Sequence, residues 1–280
     1  MDNINPPDIV RAMVASAVSK AALRPRDIMI RGALSGALLA TSTSFAFTGV
    51  LQTSLPLVGA IIFPVGFVMI ILLGLELVTG SFAVVPLGAV DGRTAWGRVA
   101  GNLTLVFVAN LIGSMAYGAA LYLVMTQCGT EAPSGIALKI AAAAEAKTNV
   151  YAAHGAAGFA TAFLKGMLCN WLVCLGVVLP MATNSTLGKI AAAWIPITTF
   201  FAQGFEHSVV NMFLIPTGIL FGAKVTVGSW WLWNQIPVTA GNLAGGFLFT
   251  GLFLYWTHSA AAPRSAPLPE PAGAAEPARA

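Results

Sequence analysis

The chain has 280 residues, 57% of them hydrophobic and only 9% charged. A soluble domain carries about 25% charge, so a chain this apolar, with a mean hydropathy of +0.81, cannot cover its surface in water and belongs in a bilayer. Its net charge of +4 then calls for no nucleic-acid partner, and three cysteines (Cys128, Cys169, Cys174) make no disulfide framework.

Residues 1–27 precede the first long apolar run, and their charges continue to Arg31 with no compact basic region and cleavage site. They do not read as a signal peptide. Within them, DIVRAMVASAVSKAAL (8–23) places Ile9, Val10, Met13, Val14, Ala17 and Val18 on one helical face, with Arg11, Ser19 and Lys20 elsewhere. Asp8, after Pro6-Pro7, is the predicted N-cap. This is the pattern of a short cytoplasmic amphipathic helix at the membrane interface, an anchor or alternatively a gate.

Six apolar segments follow within 28–257, at about 28–50, 57–90, 96–126, 159–183, 190–222 and 234–257. A bilayer core takes about 20 helical residues. The expected fold is therefore all-α and polytopic, with six transmembrane helices. Residues 258–280, rich in Ala and Pro, read as a disordered cytoplasmic tail. Arg11, Lys20, Arg24, Arg26, Arg31, Arg93, Arg98, Lys189, Arg264 and Arg279 fall on one side, and Lys139, Lys147, Lys165 and Lys224 on the other. That imbalance puts both termini in the cytoplasm of a multi-pass protein of the cell (inner) membrane.

The second and fifth segments each carry an acid: Glu76 in LGLELVTGS and Glu206 in GFEHSVVN, 130 residues apart. With three spans per half, the second half must be inverted. Matched interruptions in inverted halves point to a site at the membrane midplane, because a broken helix is tolerated only where protein or a water-filled path satisfies its freed backbone groups. A carboxylate beside such a break can hold the loop by accepting backbone N–H bonds, and Glu76 and Glu206 are read in that structural role. His207 reads differently. A neutral imidazole suits an apolar site and can become cationic near physiological pH, which fits a pore. His154 and His258 lie outside the apolar interior, and no Cys/His spacing matches a metal site, so neither metal nor cofactor is expected.

The blocks LELVTGS (75–81), KGMLCNWLVCLGV (165–177), GFEHSVVNMFLIPTG (204–218) and NQIPVTAGNLAGG (234–246) resemble the signature blocks of the formate/nitrite transporter family. The resemblance spans about residues 28–257. It implies an aquaporin-like inverted repeat (3+3) with the second and fifth helices broken, and a homopentamer with one pore per subunit. It implies His207 as the central pore histidine and Thr79 as its hydrogen-bond partner. Leu77 and Val78 match apolar residues of the same loop, where the family often has Phe in place of Val78. Phe63, Phe67, Val173 and Phe200 match positions lining two apolar constrictions, and Asn170 a pore-facing asparagine. The family's outer-vestibule lysine has no ungapped match: counting back from Asn170 lands on His154, whereas Lys147 fits only with about seven residues inserted.

A bare anion crossing a dry constriction meets a large desolvation cost. A small carboxylate, with a pKa of about 4 in water, avoids it by taking a proton, since low dielectric raises its pKa and lowers that of a buried imidazolium. Transfer from His207 to the anion is then one mechanism. The other leaves His207 unchanged and offering a hydrogen bond or charge. The substrate class implied is a small monovalent anion of a weak acid, formate foremost given the tryptophan-rich WWLWNQIP (230–237), with nitrite or hydrosulfide the alternatives. A membrane enzyme would need a nucleophile–base pair, and Cys169, Cys174 and His207 show no activating spacing. Gly32/Gly36, Gly97/Gly101, Gly218/Gly222 and Gly241/Gly245 permit close helix approach, expected mainly within the subunit.

Overall fold

The computed structural model describes residues 3–259; nearly all of the predicted tail lies outside the described residues. Among these the chain is helical throughout, apart from turns and one bridge between Asn3 and Thr183. Helix α1 (Pro6–Ala21) is followed by α2 (Pro25–Thr53), α3 (Pro56–Leu72), α4 (Val78–Val90) and α5 (Trp96–Met125). The second half begins with α6 (Ile136–Ala146) and the short α7 (Asn149–Ala153). It continues with α8 (Gly155–Ala182), α9 (Thr186–Ala202), α10 (Ser208–Leu220) and α11 (Val227–His258).

Four helices, α2, α5, α8 and α11, are long and apolar enough to cross a bilayer. The second and fifth predicted segments are each two shorter apolar helices, α3 with α4 and α9 with α10. Laid end to end, each pair makes one more crossing, so the arrangement accommodates six. Proline sets several boundaries. It stands in the first turn of α1, α2 and α3, where its missing N–H costs nothing. Phe63-Pro64 interrupts α3. The wide π-helical turns of α11, Trp231–Gln235 and Gly245–Leu252, turn Asn234, Gln235 and Thr250 into the buried interior.

The two halves repeat one packing scheme: α1 lies on α4 as α6 lies on α10, and α2 runs along α5 as α8 runs along α11. Glycines let the long helices touch. A Cβ on Gly36 would stand 2.2 Å from the Asn110 carbonyl, and one on Gly241 2.1 Å from the Phe163 carbonyl. Gly97 and Gly101 instead face open space. That pair does no packing within the subunit.

Two expectations need correction here. Helix α1 starts at Pro6, so Asp8 sits in its first turn and Asn5 takes the N-cap position. Its apolar face is covered by protein: Val10, Met13 and Val14 pack with Leu87, Val178 and Leu252, and Ala17 with Ala83, Val84 and Cys174.

Candidate functional site at the two helix breaks

Each broken segment turns at a glycine held in the left-handed region, Gly74 at φ +60° and Gly204 at φ +64°, where a side chain would be strained. Three residues then run to the next half-helix: Leu75-Glu76-Leu77 in one half, Phe205-Glu206-His207 in the other. The N-termini of α4 and α10 bring their partial positive charge to this level.

Both carboxylates are buried, at 2% exposure, and among the described residues every hydrogen bond reaching them comes from a side chain. This differs from the backbone N–H bonds expected. The Lys20 Nζ donates to both Glu76 oxygens, at 2.7 and 2.8 Å. The Lys147 Nζ donates to Glu206 Oε2 at 2.8 Å, joined by Asn211 Nδ2 at 2.8 Å, while the Tyr151 hydroxyl donates to Oε1 at 2.8 Å. Burial and the neighbouring carboxylate raise the Tyr151 hydroxyl above its ordinary pKa. The lysines are equivalent: each stands at the C-terminal end of the short helix that packs on a half-helix, Lys20 in the last turn of α1 and Lys147 just after α6, and each is 23% exposed. The backbone groups of the breaks are held instead by Asn110 and Asn242.

His207 caps α10. Its Nδ1 accepts the Val210 N–H at 3.2 Å, so the proton of the neutral ring is on Nε2. Nε2 lies 3.0 Å from Thr79 Oγ1, the contact expected from the resemblance. The ring stacks on Phe200, centroids 5.7 Å apart at 19°, and Phe200 meets Phe63 edge to face at 5.8 Å. Asn170 donates from Nδ2 to the carbonyls of Thr79, at 3.0 Å, and Asn242, at 2.6 Å. Its Oδ1 is buried with no partner.

The other predicted residues converge on the same place. Phe63, Phe67, Leu77, Val78, Val173 and Phe200 belong to one buried apolar cluster. On the α1 side, a cavity of about 880 Å³ reaches Phe67, Leu77 and Gly80 and is lined by Arg11, Lys20, Arg31 and Lys189. The outer-vestibule alternatives separate clearly. Lys147 reaches Glu206, whereas His154 is an exposed residue at the α7–α8 turn. Between Lys147 and Asn170 the chain passes through α7 and the left-handed turn at Gly155 (φ +52°). Lys165, assigned by sequence to the far side, lies inside α8, and its carbonyl accepts the Glu206 N–H at 3.4 Å.

Sequence reasoning missed Lys20, Tyr151, Asn110 and Asn242 as parts of this site. For the asparagines a signal existed. Asn110 follows Glu76 by 34 residues and Asn242 follows Glu206 by 36, nearly the same step in both halves.

The profile described as "Formate/nitrite transporter" matches residues 7–256. The "Probable formate transporter" of Methanothermobacter thermautotrophicus is 36% identical over 269 residues, covering 90% of this chain and 96% of its own. The solved structure of an "FNT family ion channel" superposes with a TM-score of 0.76 at 28% identity, covering 89% of this chain and 98% of that one. A "Pentameric formate channel with formate bound" gives 0.66 at 25% identity, covering 83% and 96%. Together with an all-helical membrane fold whose two broken segments meet at His207, these matches identify the chain as a member of the formate/nitrite transporter family, a membrane transport protein and not an enzyme.

Proposed function

We propose that this protein conducts formate across the cell inner membrane, with a proton, through one pore in each subunit of a homopentamer, both termini lying in the cytoplasm. In this reading residues 28–257 form the channel and residues 1–27 its cytoplasmic edge. The formate-bound pentameric neighbour and the relative named as a formate transporter support substrate and assembly. The cluster of Arg11, Lys20, Arg31 and Lys189 around one vestibule supports the orientation.

The observation that carries the mechanism is the pair of bonds on the His207 ring. With Nδ1 occupied by the Val210 N–H, a cationic ring would have to give up its cap, so the neutral ring is the working form. It donates from Nε2 to Thr79 Oγ1, which leaves the Thr79 O–H to donate to an anion arriving beside it. The anion is drawn in by Lys20 on one side and Lys147 on the other. It takes its proton from vestibule water as the falling dielectric raises its pKa, and it passes the Phe63, Phe67, Phe200 and Val173 constrictions as the neutral acid. Glu76 and Glu206 hold the lysines, while Leu77 and Val78 keep the loop dry.

Purified protein in liposomes, offered formate, nitrite, hydrosulfide and acetate side by side, tests the assignment. Formate is expected to enter fastest; faster entry of nitrite or hydrosulfide would reassign the substrate within the same anion class.

A further inference from the structure

Two asparagines outside the predicted site make the same three bonds in the two halves. Asn110, on α5, donates from Nδ2 to the Glu76 carbonyl at 2.9 Å and to the Gly32 carbonyl at 2.8 Å, and its Oδ1 accepts the Val78 N–H at 2.9 Å. Asn242, on α11, donates from Nδ2 to the Glu206 carbonyl at 2.9 Å and to the Gly166 carbonyl at 2.8 Å, and its Oδ1 accepts the Ser208 N–H at 2.9 Å. Both are fully buried. Each uses both amide N–H donors and its oxygen, a combination that aspartate, leucine and serine side chains lack.

The bonds fall on particular peptide groups. The Glu206 carbonyl and the Ser208 N–H belong to the two peptides flanking His207. The Glu76 carbonyl and the Val78 N–H belong to the two flanking Leu77, two residues before Thr79. Asn170 ties the two systems together through the Thr79 and Asn242 carbonyls. Water lining a pathway could satisfy a helix break equally well. A side chain anchored on a long helix does more, because it fixes the direction in which the loop residue points.

We infer that Asn110 and Asn242 are a matched pair of positioning residues, each clamping the peptides on either side of one break residue, so that together they set the His207 ring against Thr79. The inference rests on the reading of His207 as the pore donor, but the spectroscopic measurement below is independent of transport.

The protein has three histidines. With His154→Gln and His258→Gln in place, ¹⁵N-histidine labelling of the pentamer in liposomes reports His207 alone. The parent is expected to show one neutral ring protonated at Nε2. Asn110→Ser and Asn242→Ser leave room for a water to satisfy the break but remove the rigid clamp. Asn242→Ser should give mixed ring tautomers, Asn110→Ser a shifted Nε2 signal, and both a loss of uptake of about tenfold or more, as misplacement of a site group does. Folded pentamers with the parent His207 spectrum and uptake would overturn the assignment. So would pentamers that fail to assemble in both variants, since the asparagines would then serve the fold alone. If His207→Asn transports normally while the serine variants still lose ring order, the clamp stands and the pore reading falls.

Discussion

Leu77 and His207 occupy equivalent places in the inverted halves: each is the last extended residue before a half-helix, with φ, ψ of −120°, 118° and −113°, 118°. One break therefore presents an isobutyl group to the centre and the other an imidazole. His207→Asn separates the two roles a histidine could play there. Asparagine keeps an acceptor for the Val210 N–H, being a good N-cap, and keeps an N–H donor, but it cannot titrate. Uptake should fall several-fold, because the shorter side chain no longer reaches Thr79, while the pH profile keeps its shape. A flat profile in this variant would make His207 the titrating relay.

Thr79→Val keeps the shape of the side chain and deletes its hydroxyl. It removes the acceptor of the Nε2 proton and the donor proposed for the anion. Uptake per pentamer should drop several-fold with no change in assembly by size-exclusion chromatography. Parental flux would reduce Thr79 to loop packing.

The pH dependence follows from the substrate. Formate, as a carboxylate with a pKa of about 4, gains about tenfold in its protonated form for each unit of falling pH. Uptake should rise from about pH 8 to about pH 5 and should acidify the vesicle lumen, because the acid releases its proton inside. A trapped pH dye reads this directly. Uptake carrying negative current with no acidification would leave an anion channel without proton coupling.

The two ion pairs should differ in their tolerance of loss. Lys20 supplies both hydrogen bonds found at the Glu76 carboxylate, whereas Glu206 keeps Tyr151 and Asn211 if Lys147 is removed. Stranding a buried charge costs about 3–5 kcal/mol. Lys20→Met should therefore lower the thermal midpoint in detergent more than Lys147→Met, and adding Glu76→Gln should recover most of the loss. Equal effects of the two single changes would count against this ranking.

Gly241→Ala and Gly97→Ala contrast two glycine pairs that look alike in sequence. The first would drive a methyl to 2.1 Å from the Phe163 carbonyl between α8 and α11, and the second meets nothing within 4 Å. Overpacking costs about 1–3 kcal/mol or more. Gly241→Ala should destabilise the folded subunit, while Gly97→Ala should leave its unfolding midpoint in detergent unchanged. A midpoint unmoved by Gly241→Ala would mean the helices can separate at no cost.

Composition alone decided that the chain lives in a membrane, since a surface so poor in charge has no aqueous solution. Glu76 and Glu206 marked both helix breaks because an acid is rare in a bilayer and these two recur at a fixed interval. His207 stood out for the same reason. The resemblance then named Thr79, Asn170 and the apolar ring around them. Sequence could not say what satisfies the acids, because Lys20 and Lys147 lie 56 and 59 residues away along the chain and nothing in the spacing pairs either lysine with an acid. Nor could it place Lys147 against Glu206 and His154 at the exposed turn before α8, since both depend on how α7 and the turn at Gly155 fold. The protonated nitrogen of His207 was equally hidden: it depends on the Val210 N–H, a backbone group whose direction exists only once α10 has formed. Residue type and spacing report what a segment must avoid or bury. Which donor meets which acceptor is decided by where the helices bring them together.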